Sequence, residues 1–594
     1  MLKAIQKTLN LIAISFLMVG CSFPAIQPTK APVNPPVAAP SPEATETSPE
    51  STATEPASLP IAVEYNLGDA TIVQSMFSED SRFHNMPVRL NGIIAVPDGE
   101  GAPHPVVVIL HGNHVGCPVP EGDTVDRWPC DLEAERPNYR GFDYLVRQLA
   151  GQGYVALSIN INAEYTFGFG EPIPIERLGQ LVDLHLKALA AATDGRANKF
   201  GVELEGRADL SRLAFIGHSQ GGEGAYWLIQ MSALDAPESF NNLGYGPVYG
   251  IIMIAPSANW AGAGGAHLPL AVILPACDND VINQDGQLYY EFTRFDPEQS
   301  AWASSVWLER ANHNYFNNTL SDEAVTRPGR LDCEPLLQPV AQRDFLSEYT
   351  LDYLANVFNK EQDASVRMGM DFQGSAPDEL YGLPARVAAL APRSDRLPLL
   401  LPADESELET NLAGGSVSAD KLTLTYCKEG YYVPAMKPGS EPCKRVNLVI
   451  PGNPAMIVTS WSQNSAALRF SIPEGIDLSN FSSISLRAAL DPLSPLNKVG
   501  AQQVFTIQLV DSRGNSASVH TRADEPALQF PVGNNVENDT FKGGWFTGRV
   551  PLTSIRMLLR DFTGVDMSEI HEITLLFDQS PSGSLFMSDL ELLQ

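Results

Sequence analysis

Positive charge is scarce in this chain of 594 residues: 39 Lys and Arg stand against 70 Asp and Glu, a net charge of −31. A surface of that sign repels polyanions, which excludes nucleic acid and anionic lipid surfaces and leaves neutral or cationic ligands. Long apolar runs are also missing. The N-terminal stretch Leu11 to Val19 has nine residues, whereas a membrane-spanning helix needs about 20. None of the seven cysteines stands in C-x-x-C spacing with another, which removes the commonest zinc pattern.

What is present is ample apolar material, 44% of the residues, in a chain too long for one ordinary core. Lys3 and Lys7 precede the apolar stretch, which closes on Met18-Val19-Gly20-Cys21. This reads as a signal peptide over residues 1–20, and the last four residues resemble the bacterial lipobox, which implies lipidation of Cys21 and an exported, envelope-anchored protein. Residues 21–62 are almost all Pro, Ala, Ser, Thr and Glu and read as an extended tether. Six cysteines remain, an even number in an exported chain. Neighbour pairing gives Cys117–Cys130, Cys277–Cys333 and Cys427–Cys443, although six cysteines allow fifteen connectivities.

Over residues 63–365 apolar strand-like runs alternate with amphipathic helical ones, the pattern of an α/β domain with a mostly parallel sheet. Within it, Gly217-His218-Ser219-Gln220-Gly221 follows the apolar run Leu213 to Ile216 and leads into a helical segment. A serine on a tight strand-to-helix turn is lifted clear of the sheet, and the flanking glycines let strand and helix pass closely. Chance alone supplies roughly 0.3 such strings in a chain of this composition, so the surrounding residues must carry the assignment.

A nucleophilic serine needs a base and an acid. In the chain order nucleophile, acid, histidine, the base lies last, and among ten histidines only His313, His520 and His571 qualify. His520 and His571 fall in a separate β-rich region, which leaves His313. Cys277-Asp278-Asn279-Asp280 supplies two acids past an apolar strand. Asp280 is preferred because Val281-Ile282 anchor the chain behind it, with Asp278 as the alternative. The oxyanion hole is assigned to the backbone N–H groups of Gln220 and of Asn113, in the loop Leu110-His111-Gly112-Asn113-His114. His111 and His114 read as loop-ordering residues, and His218 as a packing residue beside the elbow.

About 300 residues resemble secreted bacterial α/β-hydrolases of the dienelactone-hydrolase, cutinase and polyester-hydrolase kind. The most specific stretch is Ala276 to Ile282, similar to the acid loop of polyester hydrolases, whose catalytic aspartate matches Asp280. The resemblance implies an α/β-hydrolase fold, serine esterase activity without a cofactor or metal, and an aromatic wall of the acyl cleft at Trp260. It also implies a disulfide from Cys277 to a cysteine after the catalytic histidine; here the partner is Cys333, 20 residues beyond His313. Two insertions, Val115 to Tyr139 and Tyr165 to Pro174, read as rims of the site.

Residues 366–395 read as a linker, rich in charge, Pro and Gly. From 396 to 594 the pattern changes to short alternating runs such as Ala467 to Ser471 and Phe505 to Leu509, an antiparallel β-sandwich. Its final runs resemble galactose-binding-like jelly rolls, which leaves a glycan or polymer ligand and a purely structural role both open. The expectation for the whole is a lipid-anchored carboxylic ester hydrolase, with peptidase or amidase activity and a non-catalytic binding scaffold as alternatives.

Overall fold

In the computed structural model, which describes residues 59–594 other than 75–76, 82, 100–102, 122–127, 167–174, 236–243, 260–266, 321–330, 429–442, 444–454, 534, 539–540 and 547–549, ten strands form the first sheet. They are β1 (Val63–Val73), β2 (Asn85–Ala95), β3 (His104–Leu110), β4 (Val155–Ile159), β5 (Ala208–His218), β6 (Val248–Ile254), β7 (Leu270–Pro275), β8 (Ala303–Leu308), β9 (Glu379–Leu380) and β10 (Leu383–Leu390), in the order β1-β2-β4-β3-β5-β6-β7-β8-β10-β9. Cys21, the signal peptide, most of the tether and Trp260 lie outside the described residues.

The centre of this sheet is dictated by apolar runs. Val106, Val108 and Leu110 of β3 point into one core, and Val107 and Ile109 into another. A strand buried on both faces has no polar side to show, so its sequence is continuously apolar. On the first face lie α3 (Ile175–Thr193), α4 (Gln220–Asp235) and α5 (Gln287–Phe295); on the second lie α1 (Asp143–Gly151) and α6 (Pro339–Asn359). Short helices α2 (Asn162–Thr166) and α7 (Gln362–Arg367) complete the described helices.

Beyond β10 the chain builds two further sheets. One runs β13 (Leu422–Cys427), β14 (Met456–Trp461), β23 (Gly583–Leu593), β16 (Ser483–Leu490), β21 (Thr553–Leu558), with β11 (Arg396–Leu400) on β23. The other runs β12 (Val417–Asp420), β15 (Ala466–Ser471), β22 (Ile570–Phe577), β17 (Thr506–Asp511), β18 (Ser516–His520), and β19 (Asn535–Asn538) pairs with β20 (Phe541–Phe546). Inward side chains of both larger sheets, among them Leu468, Phe470, Leu486, Leu575 and Leu590, share one core.

These sheets correct the α/β expectation. Helix accounts for 25% of the described residues and strand for 33%. Antiparallel pairing closes both ends of the first sheet, where β1 and β2, then β8, β10 and β9, run against one another. All described pairings from β11 onward are antiparallel. The chain is therefore mostly β with a mixed first sheet, and the α/β-hydrolase fold with a mostly parallel sheet is withdrawn. The apolar runs revealed only strands buried on both faces; β1 is half exposed, and its burial alternates too irregularly to stand out. The segment read as a linker contains β9 and β10. Pro384 sits at the beginning of β10, a position where a strand tolerates a missing N–H.

Residues from Ser58 onward form one compact unit. Its two halves meet in a buried ionic cluster. Glu291 and Arg294 of α5 face Arg487 of β16 and Asp589 of β23. Arg487 Nη2 lies 2.6 Å from Glu291 Oε1 and its Nη1 lies 2.9 Å from Asp589 Oδ2, while Arg294 bonds both acids. Burial pushes the Glu291 carboxyl up, but the Arg487 and Arg294 charges outweigh it and hold it down at about 2. The sign follows: a depressed acid contributes its stability fully above the unfolded value near 4.5 and loses it as pH falls towards 2. Breaking a buried pair leaves its partner's charge unmatched. Arg487→Leu is expected to lower unfolding free energy by about 3–5 kcal/mol, read from urea denaturation at neutral pH; a loss under about 1 kcal/mol contradicts the cluster's role.

Three disulfides, Cys117–Cys130, Cys277–Cys333 and Cys427–Cys443, are formed. They mark an oxidising location, extracellular or in the cell envelope. Among the described residues no helix is long and apolar enough to cross a membrane.

Candidate active site

β5 ends at His218 and α4 begins at Gln220, so Ser219 occupies the turn between them with a left-handed φ of 55°. A non-glycine residue pays backbone strain there. The conformation is held by Ser219 N–H donating to Ile254 O (2.8 Å), and by Gly222 N–H donating to Ser219 O (3.0 Å). The flanking glycines are required by contact. A Cβ on Gly217 would stand 2.3 Å from Gly221 O, and one on Gly221 would stand 2.3 Å from His111 O. Strand, helix and the loop after β3 therefore close on one another only without side chains at these two positions.

His313 follows β8 and is buried. Its Nδ1–H donates to Asp278 Oδ2 at 2.8 Å, which leaves the Nε2 lone pair free to take a proton. Nε2 is buried without a hydrogen-bond partner. Burial works against a charged imidazole here, but the Asp278 carboxylate, assisted by Asp280, outweighs it and raises the His313 pKa above its ordinary 6.5.

Asp278, not Asp280, is the acid on the histidine. Asp278 is fully buried, and its Oδ1 accepts the N–H groups of Asp280 and Val281, each at 2.8 Å. That Asx-type turn carries Asp280 outward: its side chain is 68% exposed, with Oδ2 3.6 Å from His313 Nε2. The preference for Asp280 is thus corrected in favour of the alternative. Backbone pairing of Cys277 N–H with Ala311 O (2.8 Å) and the Cys277–Cys333 disulfide bring the acid loop against the histidine loop.

His218 joins the elbow to the base. Its Nε2–H donates to His313 O at 2.9 Å, and the two rings lie 4.7 Å apart. Burial first, and then the neighbouring His313 and His114, push its pKa well below 6.5. His111 is likewise neutral, held at about 4 by burial. Its Nδ1–H donates to Gly112 O (2.8 Å) and its Nε2 accepts Ile161 N–H (3.0 Å), so it orders the loop after β3 as expected. Gln220 N–H belongs to the first turn of α4, whose donors lack helical acceptors, and Asn113 is half-buried in a loop whose Gly112 runs so close that an added Cβ would stand 2.8 Å from Ser219 Cβ. The two proposed oxyanion donors thus come from elements that meet at the serine.

The sequence reading missed a buried polar network that fastens the Cys117–Cys130 insertion. Glu135 Oε1 accepts from Asn160 Nδ2 (2.6 Å) and Asn162 Nδ2 (2.8 Å), while its Oε2 pairs with Arg89 (2.7 Å). Its signal was the pair Asn160-x-Asn162 directly after β4, polar residues where the strand end meets a loop. Glu223, one turn into α4, accepts from Ser257 Oγ (2.7 Å) and Asn259 Nδ2 (3.1 Å), tying the helix to the loop after β6. Among the described residues no cluster of His, Cys, Asp or Glu is arranged to hold a metal ion. No protein-family model and no curated protein matches the chain.

Proposed function

We propose that this chain is a serine hydrolase cleaving carboxylic esters through an acyl-enzyme. The observation that carries the reading is a strained serine on a strand-to-helix turn whose preceding residue, His218, bonds the main chain of a buried histidine, His313, whose Nδ1 is bound to a buried aspartate and whose Nε2 makes no hydrogen bond. Ser219 Oγ attacks the ester carbonyl carbon as its proton passes to His313 Nε2, and the carbonyl electrons move onto oxygen. The N–H groups of Gln220 and Asn113 receive that charge. When the tetrahedral intermediate collapses, His313 returns the proton to the departing alkoxide. Water then attacks the acyl-enzyme by the same steps, delivering its proton to His313 and releasing Ser219. Asp278 holds the imidazole tautomer and balances the imidazolium.

Anchoring through a lipid on Cys21 is part of this reading; the residues Met18 to Cys21 and the oxidising location support it. The buried ionic cluster favours the C-terminal sheets as a packing partner of the site-bearing half over a detachable glycan-binding module. Purified chain is expected to turn over p-nitrophenyl esters in an acyl-length series, with anilide analogues turned over at least about 100-fold more slowly. Faster anilide than ester hydrolysis sinks the ester reading, and a polymeric ester in the same series tests for a polymer substrate.

A further inference from the structure

A second imidazole stands at the nucleophile. A Cβ built on Gly112 would lie 2.8 Å from Ser219 Cβ and 2.9 Å from His114 Nε2, so both border the space that the missing side chain leaves. His114 Nε2 is buried and has no hydrogen-bond partner. The His114 ring lies 5.8 Å from that of His218, which in turn lies 4.7 Å from that of His313. His114 Nε2 thus flanks Gly112 together with Ser219 Cβ, while His313 is tied to the residue before the serine through His218, and both nitrogens are buried without a hydrogen bond.

A buried N–H or ring nitrogen left unpaired is costly, and one that stands next to a nucleophile has a use that others in the chain lack. His313 Nε2 has its use as the proton acceptor. We propose that His114 is a further catalytic residue, whose Nε2–H, unbonded in this structure, donates to Ser219 Oγ when charge develops on that oxygen as His313 takes its proton. The same bond acts again in deacylation, when Oγ is the leaving atom. Burial, with His111, His313 and Arg136 adding to the cost of charge, brings the His114 pKa down to about 3. His114 thus stays neutral across the working range and does not compete with His313 for the proton. Gly112 fits this arrangement, since a methyl group there would press on both partners of the proposed bond.

This role rests on the serine hydrolase reading, and the test separates the two. The rate of fluorophosphonate labelling and p-nitrophenyl ester kinetics are measured on the full chain for wild type, His114→Leu, His114→Asn and His114→Gln. Leucine removes the donor, asparagine is too short to keep it at Nε2, and glutamine places an amide N–H near the same point. Both the labelling rate and kcat are expected to fall about 10- to 100-fold in His114→Leu and His114→Asn, with KM within about twofold, and to recover largely in His114→Gln. Should His114→Leu fail to fold, His114→Asn carries the comparison. Wild-type labelling with either donor-less variant labelled equally fast overturns the role of His114 alone. No labelling of the wild type overturns the underlying reading and this role with it.

Discussion

Ser219→Ala is expected to lower kcat for p-nitrophenyl esters by about 10⁶-fold while the chain keeps its melting temperature. The size of the loss follows from the division of labour. Without Oγ no acyl-enzyme forms, His313 has no proton to take, and only the oxyanion donors and substrate binding remain to assist water. Removing a triad serine alone costs nearly as much as removing the whole triad, because the members act as a unit. Fold retention follows from geometry: the strain at Ser219 resides in its backbone, and the bonds that hold the turn, to Ile254 O and from Gly222, are main-chain bonds. Residual turnover within about tenfold of wild type contradicts the assignment.

Asp278→Asn is expected to lower kcat by about 10⁴-fold, and Asp280→Asn by less than about tenfold. An asparagine at 278 offers its amide or carbonyl to His313 Nδ1 and no longer fixes the tautomer that leaves Nε2 bare, nor does it balance the imidazolium. Asp280 touches the same ring only at 3.6 Å from an exposed position, where solvent weakens its pull. The pH profile gives an independent check. The base must be neutral to accept the serine proton, so kcat/KM falls as pH drops through the His313 pKa. In the wild type that limb lies above 6.5, because Asp278 outweighs burial. In Asp278→Asn burial is left with only the minor support of Asp280, so the limb moves to lower pH. Equal losses at the two positions, or an unmoved limb in Asp278→Asn, contradict the pairing.

The two aspartates also show where the sequence was legible and where it was not. Ser219, His313 and the loop from His111 to His114 were readable because each lies directly past a buried apolar strand, and such strands announce themselves. The choice within Asp278-Asn279-Asp280 depended on which carboxylate turns inward. That is decided by Oδ1 of Asp278 accepting two N–H groups further along the chain, a local bond that apolar anchoring at Val281-Ile282 does not reveal. The central strands β3 to β8 were recognisable for the same reason as the site. The edges were not: β1 is half exposed, and β10 begins next to Pro384 inside a stretch whose charge and glycine suggested a linker. Those edges, with the wholly antiparallel C-terminal sheets, are what make the chain mostly β. The contact between Arg487 and Glu291, 196 residues apart, had no local signature at all.

The central claim is that Ser219 is an activated nucleophile. The most direct measurement is the intact mass of the purified chain after exposure to a fluorophosphonate, with the modified peptide located by fragmentation. One adduct on the peptide containing Ser219, absent from Ser219→Ala, is the expected result. An unmodified wild-type chain under conditions that label a control serine hydrolase, or an adduct that persists in Ser219→Ala, contradicts it.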